Sequence, residues 1–273
     1  MRIGIGSYTF GWHSGTYGWE LTKDRPRLVA EDLIERAAQF GLPVVQIVLR
    51  PALDEMDDAA LQRLRALAEA RQVEIEVGTT GSAPAELLRW LRVARAVNAR
   101  LMRTIFTQPS AGLSQEAAQL REVLPEFRQA GVALAVENHE TSSCHDLRRL
   151  IDTLADEHLG VCLDSVNSLG RGEGVWEVAE VLLPVTINLH LKDFTVTRGS
   201  TDMGFAITGA PTGTGKLDIP RLLARLHAYR PDASVILEQW TPLGASLEAA
   251  IAEQERWAME GVRYLQQAMA ALR

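Results

Sequence analysis

Short β-branched apolar runs alternate with amphipathic stretches along the whole chain, and this alternation predicts repeated βα units around a parallel sheet. Strands are expected near residues 2–8, 44–49, 73–78, 101–106, 132–138, 159–164, 186–192 and 234–239. Between them lie segments with apolar positions at helical spacing. Glu31 to Phe40 stops at Gly41, and Ser114 to Ala130 stops at Gly131, each glycine suited to the left-handed backbone of a helix C-cap. The length of 273 residues would suit one barrel or two smaller domains. No Pro/Gly/Ser-rich linker or low-complexity tract interrupts the alternation, so the expectation is a single (β/α)8 TIM barrel over residues 1–273 with a parallel eight-stranded core.

Two segments exceed ordinary connections: residues 9–27, rich in Gly, Trp and Tyr, and residues 194–218, rich in Gly and Thr. Long loops in a compact barrel usually cover a site. The last helix, near Ser246 to Leu272, is long for a barrel closure. It either packs across the first and seventh helices or extends to offer a surface for a homodimer or homotetramer.

Four of the apolar runs end in a metal-binding side chain: Glu137, Asp164, His190 and Glu238. On parallel strands of one barrel these ends share the carboxyl face, where such barrels build their active sites. The spacing fits successive units, 27 residues from Glu137 to Asp164 and 26 from Asp164 to His190. Side chains alternate across a strand, so Asn188, His190 and Lys192 share one face, as do Ile236, Glu238 and Trp240. Polar groups facing a barrel lumen are costly unless they bind something. Three carboxylates and one imidazole suit Mn²⁺ first, then Mg²⁺ or Co²⁺, with Zn²⁺ also compatible. Arg103 shares its strand face with Leu101 and Ile105, which leaves two readings: a cation aimed at an anionic substrate, or an ion pair lower in the barrel.

Composition narrows the partners. Hydrophobic residues make up 47%, and the formal charge is −7 with no block of Lys or Arg, so no nucleic-acid footprint is expected. A small-molecule partner is. Cys144 and Cys162 are the only cysteines, too few for a disulfide framework or a cysteine-rich zinc site. Neither a signal peptide nor a membrane span is evident, and a cytoplasmic location is the expectation.

The order Glu137-Asn-His, Asp164-Ser-Val-Asn167, His190-Leu-Lys-Asp193 and Val-Ile-Leu-Glu238 resembles the xylose isomerase-like superfamily of TIM barrels, most closely its sugar phosphate isomerase/epimerase branch. The likeness runs over nearly the whole chain. It implies a divalent-metal-dependent isomerase or epimerase acting on a ketose or a polyol-derived ketone through an enediolate. Glu137, Asp164, His190 and Glu238 would hold the ion, and Glu137 and Glu238 would exchange a proton on opposite faces of the substrate carbon. The chain departs from the ketose 3-epimerases at Asn167, where they often carry a histidine; Asn can bond a sugar hydroxyl but cannot shuttle a proton. His190-Leu-Lys-Asp193 is shared with relatives that dehydrate inosose or dehydroshikimate, so the alternative is a metal-dependent dehydratase of a cyclic ketone. Lys192 and His139 would then assist the leaving group or fix the substrate, and Asn167, Arg103 and Trp240 complete the expected substrate contacts.

Other features carry less. His13, Trp12 and Trp19 either cap the site or pack locally, and His145, His158 and His227 are expected on the surface. Gly209 to Lys216 imitates a phosphate-binding loop, but its glycine spacing is off by one and Leu217 replaces the required Ser or Thr. Gly4-Ile-Gly6 lacks the third glycine of a dinucleotide fingerprint. A DNA-repair role of the endonuclease IV type is disfavoured by the acidic charge and few spare histidines; a non-catalytic sugar-binding role stays open.

Overall fold

Eight parallel strands close into a barrel in this computed structural model, which describes residues 1–48, 50–199 and 203–272. The strands are β1 (Arg2–Gly6), β2 (Val44–Val48), β3 (Glu74–Gly78), β4 (Leu101–Ile105), β5 (Ala133–Glu137), β6 (Leu159–Asp164), β7 (Thr186–Leu191), and, after the hairpin strands β8 (Asp193–Arg198) and β9 (Phe205–Ala210), β10 (Ser234–Leu237). Around the barrel the order is β1-β10-β7-β6-β5-β4-β3-β2. Each expected strand is present, most of them a residue or two shorter than anticipated; the expected end of the second strand, Leu49, lies outside the described residues.

Helices follow the strands as the period change requires. The helix Ala30–Gln39 buries Leu33, Ile34 and Ala37 and gives way to Gly41 at φ 66°; the helix Ser114–Ala130 ends at Gly131 at φ 65°. Side-chain caps start others: Asp57 accepts from Ala60 N, Ser143 from Asp146 N and Ser246 from Ala249 N. The last helix, Leu247–Ala270, lies against the first unit, where Gln266 bonds the Phe40 carbonyl and Glu255 takes Arg36. No helix among the described residues is long and apolar enough to cross a membrane.

Strand parity divides the chain into two environments. Outward residues such as Ile5, Ile47, Val77, Met102, Leu189 and Leu237 form one apolar core with the helices. Many inward positions are polar: Gln46, Glu76, Arg103, Asn188 and Ser234 are all buried, beside an apolar group of Leu101, Ala135 and Cys162. Branched apolar side chains ordinarily fill such a lumen. β1 contributes glycines instead, because a Cβ on Gly4 would come within 2.7 Å of Ile236 Cδ1 and 2.8 Å of the Val44 carbonyl oxygen. The glycines of Gly4-Ile-Gly6 thus serve close strand packing.

The segment 194–218 is corrected from a simple loop to a hairpin followed by a turn. β8 and β9 pair antiparallel from Asp193↔Ala210 to Arg198↔Phe205. Their alternating β-branched and aromatic residues account for the pairing. The following glycine-rich turn wraps an internal anion: Asp193 Oδ2 accepts from Gly213 N and Gly215 N at 2.9 and 2.8 Å, and Oδ1 from Phe194 N and Leu217 N at 2.8 and 3.1 Å. The resemblance of this stretch to a phosphate loop therefore has a physical basis, with the Asp193 carboxylate in the anion's place. Asp193→Ala should leave four backbone donors without their acceptor. A loss of about 2–4 kcal/mol is expected, seen as a fall of roughly 4–15 °C in Tm by thermal denaturation; an unchanged Tm would mean that water replaces the carboxylate without cost.

Candidate metal centre and active site

Four adjacent strands deliver the polar cluster. Glu137 is the last residue of β5, Asp164 the last of β6, His190 the fifth of β7, and Glu238 follows β10 directly. Register sets Asp164 beside His190 and Ile236 beside His190. All four side chains are buried. Ligand atoms of Asp164, His190 and Glu238 lie within 4.8 Å of one another, as do those of Glu137, Cys162 and His190.

His190 is the centre of this arrangement. Its Nδ1 stands 3.2 Å from Glu137 Oε2 and 3.3 Å from Glu238 Oε1, yet it is a buried nitrogen without an aligned hydrogen bond. An orphaned imidazole nitrogen between carboxylate oxygens is what a divalent cation would satisfy. Oxygen donors with one imidazole fit Mg²⁺, Mn²⁺ or Co²⁺, and the residues present therefore fit such an ion.

Two fixed cations flank the carboxylates. Lys192 Nζ lies 2.5 Å from Asp164 Oδ2 and 2.8 Å from Glu238 Oε2, and 3.4 Å from Asn167 Oδ1. Arg103 donates through Nε to Glu137 and through Nη1 to the Thr79 carbonyl at 3.2 Å. Of the two sequence readings of Arg103, the structure shows the ion pair, at the strand end with Glu137 and not lower in the barrel. Asn167 Nδ2 donates to the other Glu137 oxygen at 2.8 Å. Asp164 Oδ1 accepts the backbone N–H groups of Val166 and Asn167, each at 2.8 Å, which leaves Oδ2 for a cation.

Electrostatics follow from this packing. Burial would raise the Glu137 carboxyl, but Arg103 and His190 hold it well below the usual carboxylate range. Asp164 moves the other way: burial raises it, and Lys192 only partly opposes burial and the repulsion of Glu137 and Glu238. Against a burial that would lower it, the carboxylates of Asp164 and Glu238 hold the Lys192 ammonium well above its ordinary range. Burial likewise opposes the His190 imidazolium, and Glu238 and Glu137 outweigh it. The cluster attracts positive charge strongly.

The remaining expected residues divide into two groups. Trp240 stands at the site, its ring centroid 5.7 Å from Lys192 Nζ. His139 pairs with Glu140. Trp12 donates to the Thr241 carbonyl at 2.7 Å, His13 lies 3.2 Å from Glu255 Oε1, and Trp19 is partly exposed beside Arg27 and Arg50. His145 and His227 are exposed and His158 is partly buried.

Several site residues escaped the sequence reading. Asn138 clamps Asp164, accepting from its N–H at 2.7 Å and donating to its carbonyl at 3.0 Å. The Tyr8 ring lies 6.0 Å from Lys192 Nζ, and Tyr8 packs against Tyr17 as a tilted pair, 5.7 Å between centroids and 58° between planes. Burial raises both phenols, so both remain protonated donors. Tyr8 was findable, because it continues the inward parity of Gly4 and Gly6. Cys162 lies one step below Asp164 on the same face and donates to Asn188 Oδ1 at 2.9 Å.

Comparison with known proteins agrees with this geometry. Residues 34–268 match the family model described as xylose isomerase-like TIM barrel. The chain is 32% identical over 267 residues to the 3-oxo-isoapionate decarboxylase of Pectobacterium atrosepticum, covering 97% of this chain and 95% of that protein. Among solved structures, D-psicose 3-epimerase in the presence of D-fructose superposes with a TM-score of 0.72 at 15% identity, covering 100% of this chain and 99% of that one. A xylose isomerase-like TIM barrel protein from Mycobacterium smegmatis in complex with magnesium gives 0.70 at 14% identity, over 96% and 97%. With the barrel, the residue order and the family match in agreement, the chain belongs to the xylose isomerase-like TIM barrel family.

Proposed function

We propose that this protein is a divalent-metal-dependent decarboxylase of a hydroxylated 3-oxo carboxylic acid. The observation that carries this reading is the buried charge. Glu137, Asp164 and Glu238 supply three negative charges, and Arg103 and Lys192 return two positive ones within the same cluster. A divalent ion among these residues makes the site net positive by one, which favours an anionic substrate over a neutral ketose. The 32% identity over nearly the full length to a decarboxylase named for a 3-oxo acid supports the same class.

Glu137, Asp164, His190 through Nδ1, and Glu238 would hold the ion, Mn²⁺ in first place. When bound, it draws electron density from substrate oxygens as a Lewis acid. In the reaction, the bond between the carboxylate carbon and the carbon beside the ketone breaks. Carbon dioxide leaves, and the electron pair of that bond moves into the ketone to give an enolate. Arg103 selects the acid: Nε and Nη1 are engaged with Glu137 and Thr79, and Nη2, not used in those bonds, would take the substrate carboxylate. Lys192 Nζ, a fixed ammonium between Asp164 and Glu238, donates the proton that replaces carbon dioxide and regains one from water. Asn167 and Trp240 position the substrate, while Tyr8 and Tyr17 help to keep water from the enolate.

A second reading, epimerisation of a ketose, is favoured by one observation: Glu137 and Glu238 each approach His190 Nδ1 and so flank the same centre. Carbon dioxide release separates the two. Chelator-stripped protein should be inactive on a hydroxylated 3-oxo acid and gain full carbon dioxide release at one equivalent of Mn²⁺. Release that ignores chelator and added metal would contradict the reading, and so would no release with metal in excess.

A further inference from the structure

We infer that Gln46 is the positioning residue that prepares His190 to receive the metal ion, and that Glu76 fixes the orientation of Gln46 which this requires. The inference rests on the metal-centre reading above and extends it one layer down the lumen. Gln46, Glu76 and Asn188 are buried at 1%, 0% and 0% exposure, so solvent cannot satisfy their polar atoms. Gln46 Oε1 lies 2.6 Å from His190 Nε2. The Gln46 amide nitrogen donates to Glu76 Oε2 at 3.0 Å and to Asn188 Oδ1 at 3.2 Å.

The direction of that amide follows from its partners. Glu76 Oε2 is an acceptor, so the NH₂ group must face it and the amide oxygen must face the ring. The Asn188 amide is oriented by the same carboxylate: its nitrogen lies 3.4 Å from Glu76 Oε2 and donates to Ser234 Oγ at 2.7 Å, and its oxygen accepts from Cys162 Sγ at 2.9 Å. A ring nitrogen facing an amide oxygen at 2.6 Å must carry the proton. Nε2 of His190 is thereby held protonated, so Nδ1, between Glu137 and Glu238, is the nitrogen that gives up its proton to a metal ion.

Turning the Gln46 amide over would reverse this. Its NH₂ would face Nε2, the proton would move to Nδ1, and the ion would lose its nitrogen ligand. The cost of that turn falls on Glu76, whose buried Oε2 would then meet an amide oxygen. Glu76 is otherwise hard to explain: its Oε1 has no hydrogen-bond partner, Arg2 Nη2 reaches only to 3.9 Å, and burial raises its carboxyl.

The test is Mn²⁺ binding by calorimetry to chelator-stripped protein, combined with ¹⁵N NMR of histidine-labelled protein. Wild type should bind one ion and, before metal is added, keep its proton on Nε2 of His190 once the pH is raised until the ring is neutral. Gln46→Leu and Glu76→Leu should each weaken Mn²⁺ about 10–100-fold and populate the Nδ1–H form. The exchange Gln46→Glu with Glu76→Gln keeps an oxygen against Nε2 and an amide donor against that side chain, and should stay within about tenfold of wild type. Circular dichroism checks that each variant folds; if Gln46→Leu does not, the wild-type spectrum and the exchanged pair still decide. An Nδ1–H form in wild type, or wild-type affinity in a folded Gln46→Leu, overturns the role of Gln46 alone. A wild-type protein that binds no Mn²⁺ overturns the metal-centre reading on which it rests.

Discussion

Asp164→Asn should abolish turnover and weaken Mn²⁺ binding by about 100-fold or more. The neutral amide keeps the shape of the side chain, and its oxygen can still accept the N–H groups of Val166 and Asn167 at the place of Oδ1. Its nitrogen then faces the Lys192 ammonium, donor against donor, where Oδ2 lay at 2.5 Å. Breaking a buried ion pair from one side costs about 3–5 kcal/mol, and 1.4 kcal/mol is tenfold in affinity. Glu238 still pairs with Lys192 at 2.8 Å, so the fold should survive. Calorimetric metal titration and a carbon dioxide assay on the same sample check this, and a variant that binds Mn²⁺ like wild type would remove Asp164 from the ligand set.

Arg103→Met should lower kcat/KM for the 3-oxo acid without weakening the metal. Methionine fills much of the alkyl volume of arginine and carries no charge. Truncating one partner of a buried, hydrogen-bonded charge pair costs about 2–5 kcal/mol, or between about 30-fold and several thousand-fold in kcat/KM. The direction on metal is opposite, because Arg103 is a cation beside the Glu137 carboxylate that the ion would use. Mn²⁺ affinity should hold or rise, and KM should carry much of the loss. If Mn²⁺ affinity falls together with activity, Arg103 serves the integrity of Glu137 and does not select the substrate.

The fold and the four proposed ligands were legible for one reason: strand periodicity and strand ends are local properties. Each of Glu137, Asp164, His190 and Glu238 closes an apolar run, and parity aims Lys192 at the same point. The supporting layer was not legible. Gln46 stands alone in an apolar strand and Glu76 shares its strand with Glu74, and only the register of β2 against β3 sets the two side chains 3.0 Å apart. Asn138 faces Asp164 across neighbouring strands, a contact that sequence spacing does not encode. The glycine-rich stretch after β9 imitates a phosphate loop, and the anion it wraps, Asp193, is 20 residues before Gly213 and became evident only once the hairpin brought the two together. Reaction class was the hardest to read, because proteins similar in sequence or fold include epimerases, a dehydratase and a decarboxylase. Arg103 shifts the choice, and its value depends on a three-dimensional count of charge.

The most direct measurement is a ¹³C and ¹H NMR time course in D₂O of the Mn²⁺-loaded protein, with a carboxyl-labelled hydroxylated 3-oxo acid and the corresponding free ketose in one tube. The expected result is labelled carbon dioxide and bicarbonate from the acid, one deuterium at the carbon that lost the carboxylate, and an unchanged ketose. An intact acid beside a ketose that exchanges deuterium and changes configuration would contradict the decarboxylase and establish the epimerase.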